Sequence, residues 1–209
     1  MSDQPTLATN RRDLGAAIAR GVAGGIPLVG GLVAEVVNSV IPSQKIDRVV
    51  AFVEALAEQA SKDQAKHALL ESRLRTSLGS DLLEEGVVQA SRAVSDDRRR
   101  RIARIIFNGV TDSELQYDRI RKLLAILDSL TDSELVLLVY HTRQPTIGSS
   151  WHKEMRERHP SLLRPTSREI GAPQSEVERG AIRDAYERAL VGHGLLVLSM
   201  SNLTITPLV

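Results

Sequence analysis

Arg98-Arg99-Arg100-Arg101 is the stretch best equipped to meet a charged ligand, and Arg92 and Arg104 flank it. A guanidinium presents its donors in a planar fork and stays charged at any physiological pH, so clustered arginines suit phosphate. Two features weigh against that use. Successive residues on a helix point in different directions, and Asp96 and Asp97 adjoin the run. The competing reading is a solvated face whose arginines pair with neighbouring helices. A second set, Arg179, Arg183 and Arg188, is diluted by Glu176, Glu178, Asp184 and Glu187. Both sets stand as candidate contacts to nucleic acid or anionic lipid.

Histidine offers less. His152 and His159 are seven apart, with Glu154 and Glu157 between them, so one continuous helix would place both on one face. Pro160 follows at once, and no HExxH pattern occurs, so no metal site is expected. His141 reads as a helix-end residue and His193 as a turn residue, neither with an evident partner. The chain lacks GxSxG, the phosphate loop GxxxxGK[ST] and GxGxxG. Ile26-Pro27-Leu28-Val29-Gly30-Gly31 has the glycines of a phosphate loop without its lysine or preceding strand. No catalytic set and no cofactor site emerges, so the sequence points away from an enzyme.

The elements behind these residues are helical. The 209 residues are 42% hydrophobic but only 3% aromatic, so the core must be built from Leu, Ile, Val and Ala. The net charge of +1 gives no whole-molecule attraction to nucleic acid or acidic membranes. With no cysteine, disulfides and thiolate chemistry are excluded. The first twenty residues lack the pattern of a secretory signal, and a cytoplasmic location, with peripheral membrane association as a variant, is expected.

Gly21–Ile41 is the most apolar stretch. Leu28, Leu32, Val36 and Val40 share a helical face, with Val29, Val33 and Val37 beside it. Glu35 and Asn38 argue against a membrane span, leaving a close-packed helical hairpin, with a membrane or partner face as the alternative. Ser43 is read as the cap of the next helix, which either runs on to Gly79 or breaks near Ser61. Ser80 or Asp81 would cap the following one, and Ser95 the next. Thr111–Leu115 and Thr131–Leu135 both spell TDSEL, a capping-box spacing ahead of apolar residues. From Arg143 to Gln174 prolines and glycines predict a long connection with a short helix at 151–157. Ser175 and Glu178 form a further capping box, Leu195–Leu198 reads as a short strand, and Leu203 and Ile205 belong to a return strand ending near Pro207.

The expected organisation is a flexible lead (1–10), a helical bundle (11–141), a loop-rich connection (142–174) and a small C-terminal element (175–209). The stretch ALVGHGLLVLSMSNLTITPLV resembles the last helix and wing of a winged-helix module. The fold class is therefore mainly α: a helical bundle with a small C-terminal winged-helix-like α/β element. Residues 21–140 resemble small bacterial helical proteins of unassigned function with an apolar IP-x-VGG helix and an R-x-x-x-F-x-x-x-L helix, here Arg48, Phe52 and Leu56. The glycine-rich apolar helix is also similar to the HeLo-type domains of immune effectors. An apolar helix beside a charged bundle, without a catalytic set, points to a non-enzymatic interaction protein, an adaptor or membrane-associated effector in bacterial defence. The expected partner is a protein, a second copy included, with the membrane as an option. The alternative is a winged-helix nucleic-acid regulator.

Overall fold

A computed structural model describes residues 27–112, 116–143, 150–166, 171–199 and 204–207. The protein is mainly α-helical and forms two compact units that divide between Asp128 and Ser129.

The first unit contains α1 (Pro27–Val40), a short 3-10 turn (Ser43–Lys45), α2 (Ile46–Ser61), α3 (Gln64–Leu74), α4 (Ser77–Arg92), α5 (Asp96–Val110) and α6 (Tyr117–Ser129). Proline at the first position suits the start of α1, because no helical partner exists for an N–H there. The most extensive packing joins α2 to α5. Phe52 and Leu56 on α2, and Ile102 and Ile106 on α5, are fully buried. Each such side chain contributes about 1.5–3 kcal/mol by leaving water. α4 packs against both of these helices and also against α1 and α3.

Several helix ends differ from the expected ones. Ser43 opens the 3-10 turn, and α2 begins after Lys45 without a side-chain cap. The helix breaks at Ser61, because Asp63 caps α3 by accepting from Ala65 N and Lys66 N at 3.1 Å each. Thr76, not Ser80 or Asp81, caps α4, accepting from Gly79 N at 3.2 Å. Gly79 therefore lies in the first turn of α4 and does not end a helix. A Cβ there would sit 2.1 Å from Arg73 O, so only glycine allows α4 to start this close to the end of α3. Ser95 caps α5 as expected. Thr111 is not the cap of α6; its hydroxyl donates to Phe107 O at 2.7 Å, closing α5. The rest of that TDSEL copy lies outside the described residues.

The second unit contains α7 (Asp132–Thr142), α8 (Trp151–Arg158), α9 (Pro160–Leu163), α10 (Gln174–Gly192), β1 (Leu196–Ser199) and β2 (Thr204–Pro207). α7 starts with the second TDSEL copy. Thr131 Oγ1 accepts from Glu134 N at 3.2 Å and Glu134 Oε2 accepts from Thr131 N at 2.6 Å, a complete capping box. α7 packs on α10 and β2, so it belongs with the C-terminal elements. The proline-rich connection holds α8 and α9. α10 begins one residue before Ser175, with Pro173 ahead of it and no capping box. β1 and β2 pair antiparallel, Leu196 opposite Pro207 and Ser199 opposite Thr204. Leu137, Leu163, Leu190 and Leu196 are buried in this unit.

Candidate interaction groove

Two of the four arginines of the run, Arg98 and Arg99, reach backbone carbonyls. Arg98 Nη1 donates to Leu127 O at 2.9 Å, near the end of α6. Arg99 is buried and donates to Ala93 O at 2.7 Å and Val94 O at 3.3 Å, just past the end of α4. It also pairs with Asp96, and this hydrogen bond holds the Asp96 carboxyl below its ordinary range. Arg100 is exposed and meets Asp97 at 3.1 Å. Arg101 is half-buried. Two more arginines behave alike. Arg48 reaches Ser91 O at 3.3 Å and Arg92 O at 3.4 Å, and Arg73 reaches Val110 O at 2.8 Å as well as Asp112 O. The last carbonyls of a helix have no partner within it and carry the negative end of its dipole. These guanidiniums supply the missing donors. The sequence reading of a phosphate cluster is thus met by an internal capping system, with Arg48, Arg73, Arg98 and Arg99 tying three helix ends, those of α4, α5 and α6.

Arg104 differs. It is exposed at the edge of a groove between α5 and α6, and among the described residues it has no hydrogen bond or ion pair. The groove has a volume of about 250 Å³. Its apolar lining is Ile105, Ile120 and Leu123; Arg104, Asn108, Asp112, Gln116 and Arg119 supply the polar edge. Arg119 is exposed and donates only weakly to Gln116 Oε1, at 3.4 Å. Helical spacing explains the assembly. Arg104, Asn108 and Asp112 are four apart on α5, with Ile105 and Gly109 beside them. Arg119 and Leu123 are four apart on α6. Gly109 makes the joint: a Cβ there would lie 2.5 Å from Ile120 Cγ1, so its absence lets Ile120 seat against α5. Leu123 is 44% exposed here. The sequence signal for this site was an isolated glycine inside an otherwise regular helix, which marks a close approach.

The apolar stripe chosen from sequence lies elsewhere. On α1 the neighbouring stripe is the inward one: Val29, Val33 and Val37 are 1%, 0% and 2% exposed. Leu32 is half-buried. The side chains of Leu28, Val36 and Val40 lie outside the described residues, as does the flexible lead. Glu35 is exposed, and no described helix is long and apolar enough to cross a membrane.

In the second unit, Arg179, Arg183 and Arg188 do not form one basic face. Arg179 approaches Glu176 at 4.0 Å, and Arg183 Nε donates to Glu187 Oε1 at 2.9 Å. Arg188 is exposed and donates to Asp184 O on its own helix at 3.2 Å. His141 has the partner that sequence inspection missed, because it is 46 residues away: Nε2 lies 3.1 Å from Glu187 Oε1. A carboxylate only accepts, so this nitrogen carries the hydrogen. Burial acts to raise the Glu187 carboxyl, but hydrogen bonds from His141 and Arg183, and the Arg183 charge, outweigh it and hold the group below the ordinary carboxylate value. His152 is buried; its Nε2 is 2.9 Å from Arg143 O, and its ring packs edge-on against Tyr140 and Trp151. His159 ends α8 with φ −124° and ψ 59°, off the helical path, so the two histidines do not share one helix. Among the described residues no group of three or more His, Asp or Glu could hold a metal.

A comparison with protein-family models, curated proteins and solved structures finds no match to this chain.

Proposed function

We propose that this chain is a non-enzymatic helical interaction protein, and that the α5–α6 groove receives an acidic amphipathic helix from a protein partner. The observation that carries this reading is the contrast among arginines. Arg98, Arg99 and Arg100 are held on backbone carbonyls or aspartate, whereas Arg104 has no partner among the described residues and lies beside exposed Leu123 and half-buried Ile105. An apolar floor with two guanidiniums at its edge matches a helix bearing leucines at helical spacing and flanking glutamates. This role suits an adaptor or effector component of a bacterial response.

The second reading is a winged-helix-like nucleic-acid regulator built on α10 and the β1–β2 pair. A helix followed by an antiparallel pair supports it. The carboxylate partners of Arg179 and Arg183 argue against it.

The test is a nuclear magnetic resonance titration with helical peptides that carry leucine on one face and glutamate beside it. Shifts centred on Arg104, Gly109, Arg119 and Leu123 are expected, with binding weakened roughly tenfold by the R104E/R119E variant. Peptides that produce no shifts there, together with salt-dependent binding of duplex DNA through α10, would replace this reading with the second.

A further inference from the structure

Helix α10 has one face that the protein leaves uncovered. Gly180, Glu187 and Leu190 are buried, while Gln174, Glu178, Ala181, Ala185, Arg188 and Gly192 are all exposed. These six are spaced alternately four and three apart, the repeat of a helix that lies along another helix. Val177 and Ile182 border the row at 47% and 53% exposure, a poor situation for large apolar side chains in water.

The row is also self-complementary. Turned about a two-fold axis beside Arg183, it lays Ala181 against Ala185, Glu178 against Arg188, and Gln174 against Gly192 of a second helix. Every position meets one that suits it. The alanines permit a close axial approach, about 8 Å. The glutamate and arginine form two identical charge pairs, one on each side of the axis, which is what an isologous contact requires. Both charges are available. Among the described residues Glu178 is engaged only by Gln174 Nε2 at 3.1 Å, and Arg188 donates by Nε to its own helix with no contact at the far end of its guanidinium.

We infer that a second copy of this chain docks here, so that two α10 helices pair antiparallel. The face is independent of the α5–α6 groove, and either can fail without the other. A contact of one helix per copy belongs to the small, transient class of interface, so the association is concentration-dependent.

Sedimentation velocity on the full chain over a hundredfold concentration range tests it. The wild type is expected to move from monomer to dimer. E178R alone and R188E alone each set like charges opposite one another twice, and association should weaken roughly tenfold. An equimolar mixture of the two variants should recover dimerisation. One copy then carries arginine at both positions and the other glutamate at both, so each charge again meets its opposite. A wild type that stays monomeric throughout would overturn the inference. So would single variants that associate like the wild type, or a mixture no stronger than its components.

Discussion

The arginine-containing ties between distant segments use different acceptors in the two units. In the first, Arg48, Arg73, Arg98 and Arg99 donate to backbone carbonyls where helices end. In the second, Arg183 donates to the Glu187 carboxylate, which His141 also contacts, and Arg179 approaches Glu176. A backbone carbonyl does not take up a proton as the pH falls, whereas a carboxylate does once the pH drops below the ordinary carboxylate range. The first arrangement is therefore a fixed tie between chain segments. The second is a tie that acid can loosen. The ties between distant chain segments thus respond differently to acid in the two units, because their acceptors differ.

The largest expected effect tests the fixed tie. Arg99→Ala removes the donor from two carbonyls, one of them on buried Ala93. Leaving such a group without a partner should cost about 2–3 kcal/mol, measured as a lower urea midpoint with unchanged slope. The loss should be nearly the same at pH 7 and at pH 5, because two of the acceptors are carbonyls and the third, the Asp96 carboxyl, is held below its ordinary range by Arg99 and stays ionised at both. Arg99→Lys should recover only part of it, since an ammonium cannot span two acceptors in a plane. A loss below about 0.5 kcal/mol would mean that the guanidinium is incidental to this unit.

A smaller effect tests the tie that acid loosens. Glu187 is buried, and its carboxyl is held below the ordinary value by His141 and Arg183 against the opposing pull of burial. A folded value below the unfolded one means a stabilisation that is complete above about 4.3 and lost as the pH falls through the folded value. Glu187→Gln should cost about 1–2 kcal/mol at neutral pH, and the difference from wild type should shrink on acidification. Hydrogen exchange of the α7 and α10 amides reads this locally. If the gap between the two proteins is unchanged at low pH, the carboxylate is not what holds His141 and Arg183 together.

Local rules made some of this structure legible from the sequence. Ser95 before two aspartates, and Thr131 three residues before Glu134, are complete instructions for a helix start, and both are realised. The mainly helical class followed from apolar spacing in the same way. Less legible were choices between adjacent residues that satisfy the same rule. Thr76 won over Ser80 and Asp81 because α4 must begin beside Arg73 O, a contact no local pattern encodes. On α1 the stripe of Val29, Val33 and Val37 points inward, and the stripe of Leu28 and Leu32 is one residue away from it in phase. Periodicity finds the helix but leaves its rotation open to that degree. The groove at Arg104 was hidden for a different reason. Its character depends on which arginines are already held by carbonyls, and those carbonyls lie 29 residues from Arg98 and 37 from Arg73.

Gly31 on α1 gives the smallest effect and extends the comparison to a helix held by apolar burial on Val29, Val33 and Val37. Two terms decide the outcome of Gly31→Ala. Alanine restricts the unfolded chain and favours the helix, a gain of about 0.5–1 kcal/mol. Against it stands any clash of the new methyl group. At Gly31 nothing lies within 4 Å of that position and the residue is exposed, so the gain should appear undiminished as a higher melting temperature. At Gly109 the same change places a Cβ 2.5 Å from Ile120 Cγ1, and repacking Ile120 should cancel the gain. The two substitutions therefore separate a glycine that serves packing from one that does not. If Gly31→Ala destabilises instead, the outer face of α1 is in contact with something that needs the backbone bare, and the glycine-rich stretch becomes a docking element in its own right.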